Sequence, residues 1–321
     1  MRKKLILSAA IFVVFAAGFF FKPLSVYAAE SPTMLAFGDS ITNGYGVGRE
    51  NSYVKLFADE NGFNLTNYAV DGLKSGGLKT ILDGCLSDTE KTAEIKNAKL
   101  IMVCIGANDI LSVVGEEFDG LSQTPTPTNI NALTERLSSA EVRIKLQDAV
   151  DAFAVMFQEI IAELSALNDN IVAMTVYNPY SGIIIENPAR GINRFNLGLM
   201  TELWIEKINA IIKAQPSIKI FDLYRAFEEY TGTEKLVVAD FNLASINTDP
   251  HPTLKGQSYI YETLNAFYHT PSAPPETPKF PVWAIVLISV FGALFIAAVV
   301  LAIIKREEVR KFIKRIKRKL V

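Results

Sequence analysis

The chain has 321 residues, 50% of them hydrophobic and 21% charged, with a formal charge of −2, two cysteines and two histidines. That composition excludes a disordered chain, a basic nucleic-acid binder and a disulfide-stapled miniprotein. Basic residues crowd the two ends: setting aside the four before residue 29 and the net +7 after residue 304 leaves −13 for the middle, a balance that repels polyanions.

Residues 1–28 open with Arg2, Lys3 and Lys4, run apolar from Leu5 to Phe21, and end at Val26-Tyr27-Ala28 with small residues at both positions a signal peptidase inspects. This pattern predicts a secretory signal peptide removed after Ala28. Residues 29–269 are long enough for one cored domain. Within them the apolar runs Thr33–Phe37, Phe63–Tyr68, Leu100–Ile105, Ile171–Tyr177 and Ile218–Leu223 read as strands. Tyr53–Asp59, Ala140–Leu167 and Asn196–Ala214 read as helices between them, and a last helix starts near Leu254. Strands alternating with helices predict an α/β fold, a three-layer α/β/α sandwich around a mainly parallel five-stranded sheet.

Residues 112–139 break that rhythm with Gly115, Gly120 and Thr-Pro-Thr-Pro-Thr at 124–128. They read as a long loop, either a lid or a surface insertion. Cys104 falls inside an apolar strand, where a cysteine behaves as a small hydrophobe, so two free thiols are expected.

Residues 270–281 are rich in proline and predict a short stiff stalk. The 23 uncharged residues 282–304 suffice for one helix across a hydrocarbon core of ~30 Å. Nine Lys and Arg follow in residues 305–321, which places that tail on the cytoplasmic side. The membrane is thus an expected partner through a C-terminal anchor, with the folded domain extracellular.

Four polar clusters fall where strands should end, the place at which open α/β sheets collect reactive groups. The first is Gly38-Asp39-Ser40: a serine there is an ordinary N-cap or a nucleophile whose backbone N–H faces a developing oxyanion. The second and third, Asp71-Gly72 and Gly106-Ala107-Asn108-Asp109, are either plain turns or carriers of two donors, the Gly72 N–H and the Asn108 amide. The fourth is Thr248-Asp249-Pro250-His251. With only His269 as a competitor, His251 is the available base for a serine hydrolase, and a neighbouring carboxylate would fix its tautomer. Asn178 or Tyr180, in Asn178-Pro179-Tyr180 after the fourth strand, could line a substrate pocket or simply form a turn. No His/Cys ligand cluster is present, so neither metal nor organic cofactor is expected.

In this order and spacing the four clusters resemble the SGNH (GDSL) hydrolase family over about residues 33–269. The resemblance implies a flavodoxin-like sheet and a serine ester hydrolase. By match, Ser40 stands for the nucleophile, Ser40, Gly72 and Asn108 for the oxyanion hole, His251 for the base and Asp249 for its acid. The usual pattern has the acid three residues before the histidine, where this chain has Thr248; Asp249 stands two before. Carbohydrate acyl groups and lipids are both open as the ester substrate, and oligomeric state is not read. A silent binding module, or an acyltransferase using the same acyl-enzyme, are the alternatives.

Overall fold

The computed structural model describes residues 31–118, 126–241 and 246–270. The expected signal peptide, stalk, membrane span and basic tail lie outside these residues; among the described residues no helix is long and apolar enough to cross a membrane.

Strand β1 (Thr33–Gly38) leads into a one-turn helix α1 (Ser40–Asn43) and then α2 (Tyr53–Glu60). After β2 (Asn64–Asn67) come α3 (Ser75–Leu86) and α4 (Thr89–Asn97), then β3 (Leu100–Cys104). Helices α5 (Ala107–Glu116), α6 (Pro127–Leu137) and α7 (Ala140–Ser165) precede β4 (Ile171–Met174). A hairpin of β5 (Ile184–Asn187) and β6 (Ile192–Asn196), helix α8 (Leu197–Lys213), strand β7 (Lys219–Phe221) and α9 (Leu223–Glu228) follow. The short pair β8 (Asp240–Phe241) and β9 (Ile246–Asn247) and helix α10 (Leu254–His269) complete the domain.

The main sheet has the order β2-β1-β3-β4-β7 and is parallel throughout, with Leu35 opposite Ile101 and Ala173 opposite Ile220. The step from β1 to β2 runs one way along the sheet and every later step runs the other. Right-handed crossovers therefore place α2 on one face and α3, α5, α7 and α8 on the opposite one. The packing agrees: α10 lies on α2, and α7 touches α3, α5 and α8. All five residues of β3 are buried, as a strand covered on both faces requires. The cores are Tyr53 and Phe57 on one side and the stacked Phe153 and Phe157 of α7 on the other.

Residues 112–139 are not a long loop. Gly115 lies within α5, and Pro127 opens α6, where its missing N–H costs nothing and the Thr126 hydroxyl accepts from Asn129 N at 3.2 Å. Ile130, Leu133 and Leu137 give α6 a buried stripe. The proline run at its start, read as a breaker, is a helix start; residues 119–125 lie outside the described ones. Both cysteines are free and buried.

Candidate active site

The site grows from the carboxyl end of β1. Gly38 must be glycine, since a Cβ there would stand 2.3 Å from Thr42 Oγ1 and 2.8 Å from the Cys104 carbonyl. Asp39 caps α1 by accepting the Ile41 N–H at 3.0 Å, so Ser40 begins that helix with its side chain buried at the sheet edge. The Val70 N–H donates to the Gly38 carbonyl at 3.1 Å, tying the loop after β2 to the same edge. In that loop Gly72 adopts φ 73°, which a side chain would strain.

After β3, Gly106 turns the chain at φ 117° against Phe153, leaving no room for a Cβ, and delivers Asn108 in the first turn of α5. The Asn108 amide donates to the Leu73 carbonyl at 3.0 Å and to Asp39 Oδ2 at 3.3 Å. Asp109 holds the start of α3 by accepting from Ser75 Oγ at 2.6 Å and from Ser75 N at 3.1 Å. Burial pushes the Asp39 carboxyl up to about 7, against the pull of the Ile41 N–H and with a further push from Asp109. Burial also raises Asp109, while its bonds from Ser75 hold it down.

The fourth cluster closes the site. His251 Nε2 lies 2.9 Å from Ser40 Oγ, and Nδ1 lies 2.6 Å from Asp249 Oδ1. A carboxylate only accepts, so Nδ1 carries the proton and Nε2 is left as acceptor for the serine hydroxyl. The same Asp249 oxygen also accepts the His251 backbone N–H at 3.0 Å, which is how an acid only two residues before the histidine reaches its ring. Asp249 N donates to Asn247 Oδ1 at 3.0 Å. The turn is propped from β4's end: Tyr177 Oη donates to the Pro250 carbonyl at 2.7 Å and Tyr180 Oη to the Thr248 carbonyl at 3.1 Å.

Ser40, Gly72, Asn108 and His251 share the wall of one pocket of about 150 Å³, whose other walls are largely apolar, among them Ile41, Leu111, Val176 and Pro179. Asn178 does not line it. Its amide donates to the Gly198 carbonyl at 3.0 Å and to Glu202 Oε2 at 2.7 Å, while its oxygen accepts from Tyr180 N at 3.1 Å and Thr201 Oγ1 at 3.0 Å. A side chain so fully used braces the turn and stands on the wall of a neighbouring cavity, while Tyr177 and Pro179 face this pocket. Tyr45, unnoticed in the sequence, places its ring 4.3 Å from that of His251. Its only signal was its setting between Gly44 and Gly46, both at positive φ.

A doubly wound parallel sheet that carries serine, histidine and aspartate in hydrogen-bonded series beyond its strand ends has the layout of an α/β hydrolytic enzyme. Residues 36–259 match the GDSL-like lipase/acylhydrolase family, and the chain belongs to it. Membership supports a hydrolase acting on esters. Among curated relatives, the uncharacterized protein YpmR of Bacillus subtilis strain 168 is 25% identical over 256 residues, 77% of this chain and 85% of its own. An extracellular lipase from Streptomyces rimosus has a similar fold, with TM-score 0.52 at 18% identity over 73% of this chain and 99% of that one. A phospholipase A1 from Streptomyces albidoflavus NA297 aligns with TM-score 0.48 at 17% identity over 74% of this chain and 99% of that one.

Proposed function

We propose that this protein is a membrane-anchored extracellular serine ester hydrolase that works through an acyl-enzyme, with Ser40 as nucleophile, His251 as base and Asp249 as the acid that orients it. The observation that carries the reading is the unbroken series from Ser40 Oγ through both ring nitrogens of His251 to Asp249, at 2.9 and 2.6 Å. His251 Nε2 takes the hydroxyl proton as Oγ bonds to the ester carbonyl carbon. The Ser40 N–H, the Gly72 N–H and the Asn108 amide receive the oxyanion; of the two bonds that amide makes, the 3.3 Å one to Asp39 is the weaker and the one to yield. The imidazolium then protonates the departing alcohol, and water repeats the sequence on the acyl-enzyme.

The pocket favours short acyl groups. Its volume of about 150 Å³ is that of a cavity that takes a benzene ring, so a fatty chain would run out past the rim and gain no further burial. The test is hydrolysis of p-nitrophenyl esters from acetate to palmitate by the full chain in detergent. Short chains should be preferred, and Ser40→Ala and His251→Ala should each lose on the order of 10⁶ in turnover where the triad acts as a unit. Asp249→Asn should lose ~10⁴ by favouring the wrong tautomer. Retained activity in Ser40→Ala would sink the reading.

A further inference from the structure

A second cavity of about 420 Å³ lies beside the catalytic pocket and has no part in the chemistry so far described. Pro179 belongs to the walls of both. The partition between them includes Tyr177, on the catalytic side, stacked at 4.4 Å on Phe227, which faces the second cavity. Its other wall, the segment from Leu236 to Ala239, is pinned to the catalytic turn: Val238 N donates to the His251 carbonyl and Thr253 N to the Leu236 carbonyl, both at 2.9 Å. The cavity therefore adjoins the turn that carries His251.

That position has a chemical meaning. The group that protonates the leaving oxygen is the His251 imidazolium, so the alcohol half of an ester must depart past His251, while the acyl half sits among the apolar residues across Ser40. We infer that the second cavity seats the alcohol half of the substrate and that this alcohol is a neutral carbohydrate; the inference rests on the ester-hydrolase reading above.

The lining selects that class. Ser181, Thr233, Glu228 and Glu234 offer hydroxyls and carboxylates, and Phe227 and Tyr230 offer aromatic surface. Multiple acceptors and donors beside aromatic faces suit a ring that is polar at its edge and C–H-rich on its faces. A fatty alcohol brings no hydrogen-bonding partner to those groups, of which Ser181 already donates to Glu228 at 2.8 Å, whereas a polyol can bond to all four. An anionic alcohol meets Glu228, Glu234 and Asp240 against a single cation, Lys235, which Asp240 already pairs at 2.9 Å.

The experiment compares two acetate esters on the full chain in detergent: p-nitrophenyl acetate, whose leaving group needs no polyol site, and O-acetylated cellotetraose. Thr233→Trp, at an exposed position on the rim, fills the cavity without touching the catalytic residues. It should raise KM for the acetylated oligosaccharide by at least ~10-fold and leave p-nitrophenyl acetate hydrolysis within ~2-fold, since loss of alcohol-side contacts is loss of specificity alone. Glu234→Gln should act in the same direction, more weakly. A binding readout independent of turnover is calorimetric titration of the Ser40→Ala chain with unacetylated cellotetraose, with heat of binding that Thr233→Trp abolishes. The inference is overturned if Thr233→Trp affects both esters equally or neither, if the titration shows no binding, or if acetylated lysophosphatidyl headgroup analogues outcompete the sugar ester. A wild type inactive on both esters overturns the hydrolase reading itself, and the alcohol seat goes with it.

Discussion

Asp39 stands between Ser40, the proposed nucleophile, and Asn108, a proposed oxyanion donor, and on that proposal its chemistry couples folding to catalysis. One oxygen caps α1 through the Ile41 N–H and the other faces the Asn108 amide. Burial raises the carboxyl from 3.8 to about 7. Between those values the folded chain holds a proton that the unfolded chain has released, so stability falls as pH rises from about 4 to about 7 and levels off above. The shift of about 3 units corresponds to ~4 kcal/mol across that window. Asp39→Asn removes the titration, and thermal melts from pH 4 to pH 8 should show the variant gaining on the wild type as pH rises; parallel melting curves would refute the assignment. Activity should move the other way. An asparagine that accepts from Ile41 turns its own amide toward that of Asn108, donor against donor, and a displaced oxyanion donor costs ~10²–10³ in turnover. At this scale the hydrogen-bonded series of Ser40, His251 and Asp249 was legible because chemistry left few candidates: two histidines in the chain, and one of them beside a carboxylate at a strand end. Tyr45 was not legible, because an aromatic between glycines carries no sign of the ring it will cover.

Single side chains also fasten one element to another, and Gln257 shows what such a link is worth. It is fully buried on α10, accepts the Tyr53 N–H at the start of α2 at 2.8 Å, and donates to the Ile41 carbonyl in α1 at 3.0 Å. Both partners are backbone groups at helix ends; the Ile41 carbonyl also accepts the Gly44 N–H at 3.4 Å, whereas the Tyr53 N–H, at the first turn of α2, relies on Gln257. Gln257→Leu keeps the volume and strands the Tyr53 N–H, at ~1–3 kcal/mol, so denaturant unfolding should show that loss. It should also lower kcat more than it raises KM, because α1 carries Ser40; an unfolding curve that overlays the wild type would refute the link. Elements of this kind were read unevenly from the sequence. The sheet strands were evident because β1, β3 and β4 are buried on both faces and so are unbroken apolar runs. Helix α4 buries only Ile95 and shows no apolar period, and α3 begins Ser75-Gly76-Gly77, residues that read as a turn. The β5–β6 hairpin was hidden by Asn187-Pro188, and β8 and β9, at two residues each, are too short for any period to register.

Across the whole molecule the charge is divided, with −13 over residues 29–304 and nine cationic residues in the tail beyond. On the proposed topology the basic tail sits at the anionic inner leaflet, gaining ~1 kcal/mol per Lys or Arg near the surface, while the acidic domain stands outside. The domain's reactive groups lie beyond the carboxyl ends of the strands, whereas α10 finishes at their amino ends, where His269 Nε2 meets Asn61 Oδ1 at 2.8 Å just before β2 begins. The last described helix therefore ends at the edge of the domain away from Ser40. Two outcomes follow for the intact chain expressed in cells. Ester-hydrolase activity should sediment with membranes and resist carbonate washing, as a single apolar span of residues 282–304 demands. Protease added outside intact cells should then cut the proline-rich residues 270–281 and release a soluble fragment whose kcat/KM on p-nitrophenyl acetate equals that of the anchored enzyme. Activity found in the soluble fraction before proteolysis would refute the anchor, and a released fragment with altered kcat/KM would mean that the tether does reach the site.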